Sequence, residues 1–194
     1  MSSAPLPSQC QCALKEWASV VEAFARGDQL LLIRKGGLAE ANSGFRISSN
    51  LFVFYPTFEH QTGQFLRSPY RSYLDDALSH RPPDGQVQVA FCGMVVTSST
   101  TQDATVLERL EPFHIYNQAF LEQRLRWQPE QPLVVCVVRT FRLARACLLP
   151  VVSRYVGCKS WVDLEQAVSL EGASPVLAEP AFCERLQAIT TLLR

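Results

Sequence analysis

The sequence predicts one α+β domain, built on a central, mainly antiparallel sheet that could be barrel-like, with helices packed around it. Three observations favour this fold. The chain has 194 residues, of which 47% are hydrophobic and 19% charged, so it can bury a core of its own. Segment 86–97 is typical of a long strand that is apolar on both faces, and segment 133–143 is predicted to be a further strand. Helical patterns interrupt the strands irregularly instead of alternating with them.

The first third of the chain combines one predicted helix with two short strands. Residues 1–12 are predicted to be a flexible segment, and the domain is predicted to span residues 13–194. Strands are predicted at 30–33 and at 51–55, where Pro56 ends the second strand and Thr57 caps a helical turn. A helix that ends at Gly27 is predicted because apolar residues recur at helical spacing: Leu14, Trp17, Ala18, Val21, Phe24 and Ala25.

The rest of the chain adds helices at recognisable caps. A helix is predicted around residues 70–78, and Asp103 and Asn117 each have the position of an N-cap. Segment 147–152 is predicted to be a separate strand. Ser160 and Asp163 resemble a capping box, which predicts a helix through residues 161–168. A terminal amphipathic helix is predicted at about 180–193.

Composition excludes several classes of protein. No apolar run approaches the roughly 20 residues that a bilayer span requires. The N-terminus lacks the basic and apolar pattern of a secretory signal, so cytoplasmic residence without a membrane partner is expected. The seven cysteines are odd in number and favour buried free thiols. The three histidines lack metal-ligand spacing, and no metal, cofactor or catalytic set is predicted.

Charge is uneven along a chain whose net charge is zero. Residues 112–160 contain seven basic side chains and two acidic ones, whereas the segment after residue 160 is acidic. This pattern indicates a localised cationic surface and disfavours broad coating of nucleic acid.

The strongest candidate for anion binding follows the strand at 30–33. Arg34 and Lys35 precede Gly36 and Gly37, and the freed backbone amides beside two cations could surround a phosphate or carboxylate. The segment is not a Walker loop, because the first glycine and the Ser or Thr after the lysine are missing. A tight turn with solvated charges is the alternative.

A second candidate lies at Gly157, Cys158 and Lys159, before the helix predicted to start at Ser160. Lys159 and the positive end of that helix would favour the thiolate of Cys158, although a structural turn is the alternative. Four further candidates lie at predicted element ends: His60, Gln61, His114 and Arg124. A fifth, Arg139, lies on an apolar strand face, where its charge needs a partner.

Several of these segments also resemble a known family. The blocks are Leu14-Lys15-Glu16-Trp17-Ala18, the run from Leu31 to Gly37, the run from Pro56 to Gln61, His114-Ile115, the run from Glu122 to Trp127, and the run from Gly157 to Val162. Together they resemble the domain of unknown function 1802 over about residues 13–165. The resemblance implies a mostly cyanobacterial and bacterial family without an established activity. Some members are joined to a restriction-type endonuclease domain, which implies a link to nucleic acid.

Three functions are compatible with the sequence. The first is a module that binds a phosphate-bearing ligand, either a nucleotide or nucleic acid. The second is an assembly protein that binds a partner chain through its arginines and aromatic residues. The third is an enzyme with Cys158 as nucleophile and His60 or His114 as base. Binding ranks first because no catalytic set is visible in the sequence.

Overall fold

A computed structural model describes residues 5–35 and 44–193. Between short 3₁₀ turns, the described residues form strands and helices in a mixed order. The elements are β1 (Gln9–Trp17), α1 (Ala18–Arg26), β2 (Leu31–Arg34), β3 (Leu51–Thr57), α2 (Ser72–Ser79), β4 (Gln86–Thr101), α3 (Ala104–Arg109), α4 (Gln118–Arg126), β5 (Leu133–Pro150), β6 (Trp161–Ser169), β7 (Ser174–Pro175) and α5 (Glu179–Leu192).

The strands form one mixed sheet in the order β2-β5-β4-β3-β1-β6, with β7 paired to β5. The pair β1–β3 is parallel, and the other pairs are antiparallel. The predicted α+β class with a mainly antiparallel sheet is therefore confirmed. The barrel-like closure is wrong: the sheet is open, because the edge strands β2 and β6 pair only with β5 and β1 within the described residues.

A separate hydrophobic core lies against each face of the sheet. Neighbouring side chains of β3 alternate between the two, with Phe52 and Phe54 in one core and Val53 in the other. The first core contains the buried faces of the helices, including Phe24 of α1 and Phe120 of α4. The second core is built from strands and connecting segments. Among the described residues, the helices therefore pack on one side of the sheet.

The predicted first helix is wrong over its first half. Residues 9–17 form β1, which includes residues 9–12 of the predicted flexible segment. This strand lies between β3 and β6 and buries side chains on both faces, such as Ala13 and Leu14. Its apolar spacing therefore imitates a helical stripe, and pairing on both sides decides for the strand. The helix begins at Ala18 and ends at Gly27, whose φ of 79° suits glycine.

The helix predicted at 161–168 is also wrong, because β6 occupies this segment. Val162 and Leu164 lie on one buried face at strand spacing, and the segment pairs with β1. Likewise, the two strands predicted at 133–143 and 147–152 are one 18-residue strand, β5, along which β4 pairs almost throughout. Cross-strand pairing, which a single sequence does not display, decides both cases.

Strand β3 continues through Pro56 instead of ending there. Beyond Val53 this strand pairs with β1 and no longer with β4. The missing N–H of Pro56 therefore does not interrupt hydrogen bonding between β3 and β4. Thr57 does not cap a helical turn: its hydroxyl donates a hydrogen bond to the carbonyl oxygen of Glu16, at 3.3 Å.

The remaining helices agree with the sequence. Asp103 caps α3 through the Thr105 amide, and Asn117 caps α4 through the Phe120 amide. The helix predicted around 70–78 is α2, and the terminal helix is α5. α3 and α4 were predictable because caps are local signals, whereas α2 and α5 have no side-chain cap and were predictable from the spacing of their apolar residues.

Gly93 is expected to be essential for the centre of the sheet. A Cβ atom there would lie 2.7 Å from Phe52 Cζ and 2.8 Å from Val138 Cγ1, both in the packed core. We expect Gly93→Ala to lower the free energy of unfolding by about 2 kcal/mol because of overpacking. Urea unfolding measures the change. Gly63→Ala is the control, since its Cβ would meet Leu74 Cδ2 at an ordinary 3.7 Å; equal effects of the two variants would contradict the prediction.

Candidate functional site

A cleft of about 290 Å³ lies where β1 and β3 end. Because these strands are parallel and Trp17 pairs with Thr57, the last residues of both lie at the same edge of the sheet. The end of β2 contributes Arg34 and Lys35, and the last turn of α4 contributes Arg124. Residues distant in sequence thus meet in one concave site.

The lining of this cleft is predominantly cationic. Its described residues include five lysines and arginines and two glutamates, and we call it the cationic cleft. It is lined by Lys15, Glu16, Trp17, Arg34, Lys35, Thr57, Glu59, His60, Arg124, Gly157, Cys158, Lys159 and Ser160. The excess of positive charge in a concave surface creates a potential that attracts anions.

Six of the residues predicted from sequence line the cationic cleft together: Arg34, Lys35, His60, Arg124, Cys158 and Lys159. The Arg34–Lys35 segment and the Gly157–Ser160 segment therefore face a common space. Gly36 and Gly37, which complete the first predicted motif, lie outside the described residues.

Three predicted residues do not line the cleft. The Gln61 side-chain oxygen accepts from the Ser19 amide at 3.3 Å and so caps the start of α1. His114 is fully buried. Arg139 is also buried; it forms an ion pair with Glu179 at the start of α5 and lies over the Phe182 ring. The partner that Arg139 was expected to need is therefore Glu179.

Arg34 connects β2 to β1 across the cleft. Its guanidinium donates to the carbonyl oxygen of Lys15 and lies 3.4 Å from a carboxylate oxygen of Glu16. The Glu16 side chain is only 5% exposed, and its other oxygen accepts from the Trp17 amide at 2.8 Å. A buried carboxylate requires such partners. Arg34 is thus partly neutralised, although its Nε has no partner among the described residues.

Lys35 orients the last turn of α4. The residue is 2% exposed, and its Nζ donates to the carbonyl oxygens of Arg124 and Leu125, both at 3.0 Å. Carbonyls at a helix C-terminus lack partners within the helix and carry a partial negative charge, which a lysine satisfies. Burial lowers the pKa of Lys35, with Glu130 acting in the opposite direction. Lys35 therefore positions Arg124 at the cleft.

Arg124 is the least compensated cation of the cleft. Its guanidinium lies over the Phe120 ring at 5.0 Å, and its buried Nε has no hydrogen-bond partner in the described parts of the chain. Burial and the nearby charge of Arg34 lower the pKa of Arg124. The guanidinium groups of Arg34 and Arg124 therefore line one cavity. Among the described residues, the Glu16 carboxylate contacts Arg34 only.

Lys15 and Lys159 both hold the segment that closes the opposite side of the cleft. Lys15 Nζ donates to the carbonyl oxygens of Tyr155 and Gly157, each at 2.9 Å. Lys159 Nζ donates to the carbonyl oxygen of Arg154. Burial lowers the pKa of Lys15, while Glu59 and Cys158 raise it. By these contacts, Lys15 keeps one of its three N–H groups for a ligand and Lys159 keeps two.

The proposed activation of Cys158 loses one of its two causes. Ser160 precedes β6 and not a helix, so no helix end contributes positive charge to the exposed Cys158. His60, the predicted base, does line the same cleft. Its backbone φ of 58° is uncommon for a residue other than glycine.

Sequence reasoning missed the contribution of β1. Lys15, Glu16 and Trp17 fall in the segment predicted to be helical, so their position beside the end of β3 was not expected. In the structure they form one wall of the cleft. Trp17 packs on Phe65 at 6.3 Å and on the edge of Phe120 at 5.6 Å between ring centroids. The sequence signal for these residues is the charged pair Lys15 and Glu16, which follows the apolar Ala13 and Leu14 and precedes Trp17.

Neither a cluster of metal ligands nor a membrane-spanning helix occurs among the described residues. Within these residues, no group of three or more His, Cys, Asp or Glu side chains could hold a metal ion. Over the same residues, no helix combines the length and apolar character needed to span a bilayer.

Comparison with known proteins identifies the family. A family model described as Domain of unknown function (DUF1802) matches residues 13–188, so the chain belongs to this family. No curated protein matches the sequence significantly. Among solved structures, the chain is similar to a mutant ZmASCH protein from Zymomonas mobilis, with 9% sequence identity, a TM-score of 0.44, and coverage of 95% of this chain and 99% of that one.

His114 is expected to make stability depend on pH. Burial lowers the pKa of its ring to about 4, and the positive charge of Arg67 acts in the same direction. Between pH 6.5 and 4 the unfolded chain therefore binds a proton that the folded chain does not. The free energy of unfolding should fall by about 3 kcal/mol as the pH falls through this window.

Urea unfolding at several pH values measures this loss. We expect His114→Leu to remove most of it, whereas His80→Leu, at an exposed position, should leave it intact. An unchanged pH dependence in the first variant would show that other groups cause it.

Proposed function

We propose that the cationic cleft binds a phosphate-bearing ligand. The proposal depends on a single observation: Arg124 is held at the cleft by Lys35 while its own charge has no ion-pair partner among the described residues. Guanidinium groups donate in a planar fork that matches phosphate oxygens. A phosphate between Arg34 and Arg124 would relieve the repulsion between them.

The surroundings of the two arginines support an anionic ligand. Arrangements of buried like charges are unfavourable unless a counter-charge is provided. Glu16 supplies one negative charge to Arg34, and its carboxylate is already engaged by the Trp17 amide. An incoming phosphate would provide the additional negative charge. The N–H groups of Lys15 and Lys159 that these backbone contacts do not use are further donors on the opposite side.

Replacement of Arg124 should separate binding from stability. Isothermal titration with inorganic pyrophosphate at low salt measures binding, and urea unfolding measures stability. We expect Arg124→Gln to weaken pyrophosphate binding by at least about tenfold, because a charge-assisted hydrogen bond is lost. Its free energy of unfolding should stay equal or rise, because a repulsive buried charge is removed.

Arg126→Gln is the matched control for this experiment. Arg126 lies on the same helix, is 80% exposed and pairs with Glu122, outside the cleft. Its replacement should change pyrophosphate affinity by less than about twofold, and wild-type binding should weaken with added salt. Equal losses in the two variants, or no pyrophosphate binding by the wild type at millimolar concentration, would rule out the proposed site.

A further inference from the structure

The cationic cleft adjoins a second cleft of different character. This second cleft has a volume of about 320 Å³, and we call it the neutral cleft. Lys15, Thr57 and Glu59 line both clefts, and the neighbours Val156 and Gly157 line one each. The two clefts are therefore adjacent, and the Lys15 side chain, which donates to the carbonyl oxygens of Tyr155 and Gly157, lies at their boundary.

The charges of the neutral cleft are balanced. Its described lining contains Lys15 and Arg81 as cations and Glu59 and Asp84 as acids. Arg81 and Asp84 also pair with each other at 3.1 Å. This cleft thus lacks the excess of positive charge found in the cationic cleft, so it does not favour additional phosphate groups.

Apolar side chains supply much of the remaining surface of the neutral cleft. Val156 is 57% exposed and Val151 is 38% exposed, both unusually high for valine. Phe58, Pro82 and Pro83 also line this cleft. Apolar surface of this kind is stabilised by contact with an uncharged ligand group that displaces water.

We infer that the ligand is a small diphosphate ester whose charged end lies in the cationic cleft and whose uncharged apolar end lies in the neutral cleft. This inference rests on the proposed function. The different polarity of the two clefts favours a polarised small molecule over a nucleic acid strand, which carries charge along its whole length. Either a nucleoside or an aliphatic chain could supply the uncharged group.

Titrations with four probes distinguish these ligands: inorganic pyrophosphate, ADP, geranyl diphosphate and a single-stranded oligonucleotide of six residues. We expect ADP or geranyl diphosphate to bind at least about tenfold more tightly than pyrophosphate, because an apolar group is buried in addition. The preferred ester identifies whether the apolar group is a nucleoside or an aliphatic chain. Tighter binding of the oligonucleotide than of both esters would overturn the inference.

Val156→Asp tests the role of the neutral cleft directly. The new carboxylate should reduce the affinity for the preferred ester to about that of pyrophosphate and leave pyrophosphate binding within about twofold. Val96→Asp is the control, since Val96 is 40% exposed and lines neither cleft. Both affinities should survive in that variant.

The outcomes separate this inference from the proposed function. If pyrophosphate binds through Arg124 but both esters bind no more tightly, the ligand that occupies both clefts is refuted and the phosphate site stands. If none of the phosphate compounds binds, both ideas fail. If Val156→Asp weakens pyrophosphate and ester equally, the neutral cleft does not recognise the uncharged group.

Discussion

The contact of Arg34 with Glu16 and with the Lys15 carbonyl oxygen is the interaction on which the cationic cleft depends. β2 and β1 are separated in the sheet by β5, β4 and β3, so this contact requires the open sheet to curl until its first strand approaches its fifth. The next residue, Lys35, donates to the last turn of α4. Arg34 and Lys35 therefore fix the positions of β1 and α4 relative to the end of β2. The cleft is the space enclosed by these three elements.

The cations of the cleft differ in how far the fold itself uses them. Lys35, Lys15 and Lys159 each donate to backbone carbonyls, so their charges help to hold helix and loop segments in place. Arg124 has no such use among its described contacts, and its position beside Arg34 is electrostatically unfavourable. Unfavourable arrangements of this kind persist where function requires them, at some cost in stability. This contrast, rather than the number of positive charges, is the reason for proposing a ligand at Arg124.

The candidate site could be predicted from sequence where a motif is local and could not where it depends on pairing. Arg34 and Lys35 were identifiable because two cations follow a buried strand directly, and Lys159 because it adjoins a glycine turn. Glu16 and Trp17 were missed because the apolar spacing of residues 14–25 fits a helix, whereas pairing with β3 and β6 imposes a strand on residues 9–17. His114 and Arg139 were chosen for their chemistry, yet burial and the Glu179 partner remove them from the cleft.

By itself, the sequence determined the family, the mixed α+β class, the helices with local caps at Asp103 and Asn117, and the end of α1 at Gly27. Such features depend on a few adjacent residues, whose side chains and backbone conformations satisfy each other locally. Only the tertiary structure decided that residues 9–17 and 161–169 are strands, that the sheet remains open, and that Arg34 and Arg124 share a cleft. These outcomes depend on hydrogen bonds and charges contributed by distant segments, and those interactions exist only after the chain has folded.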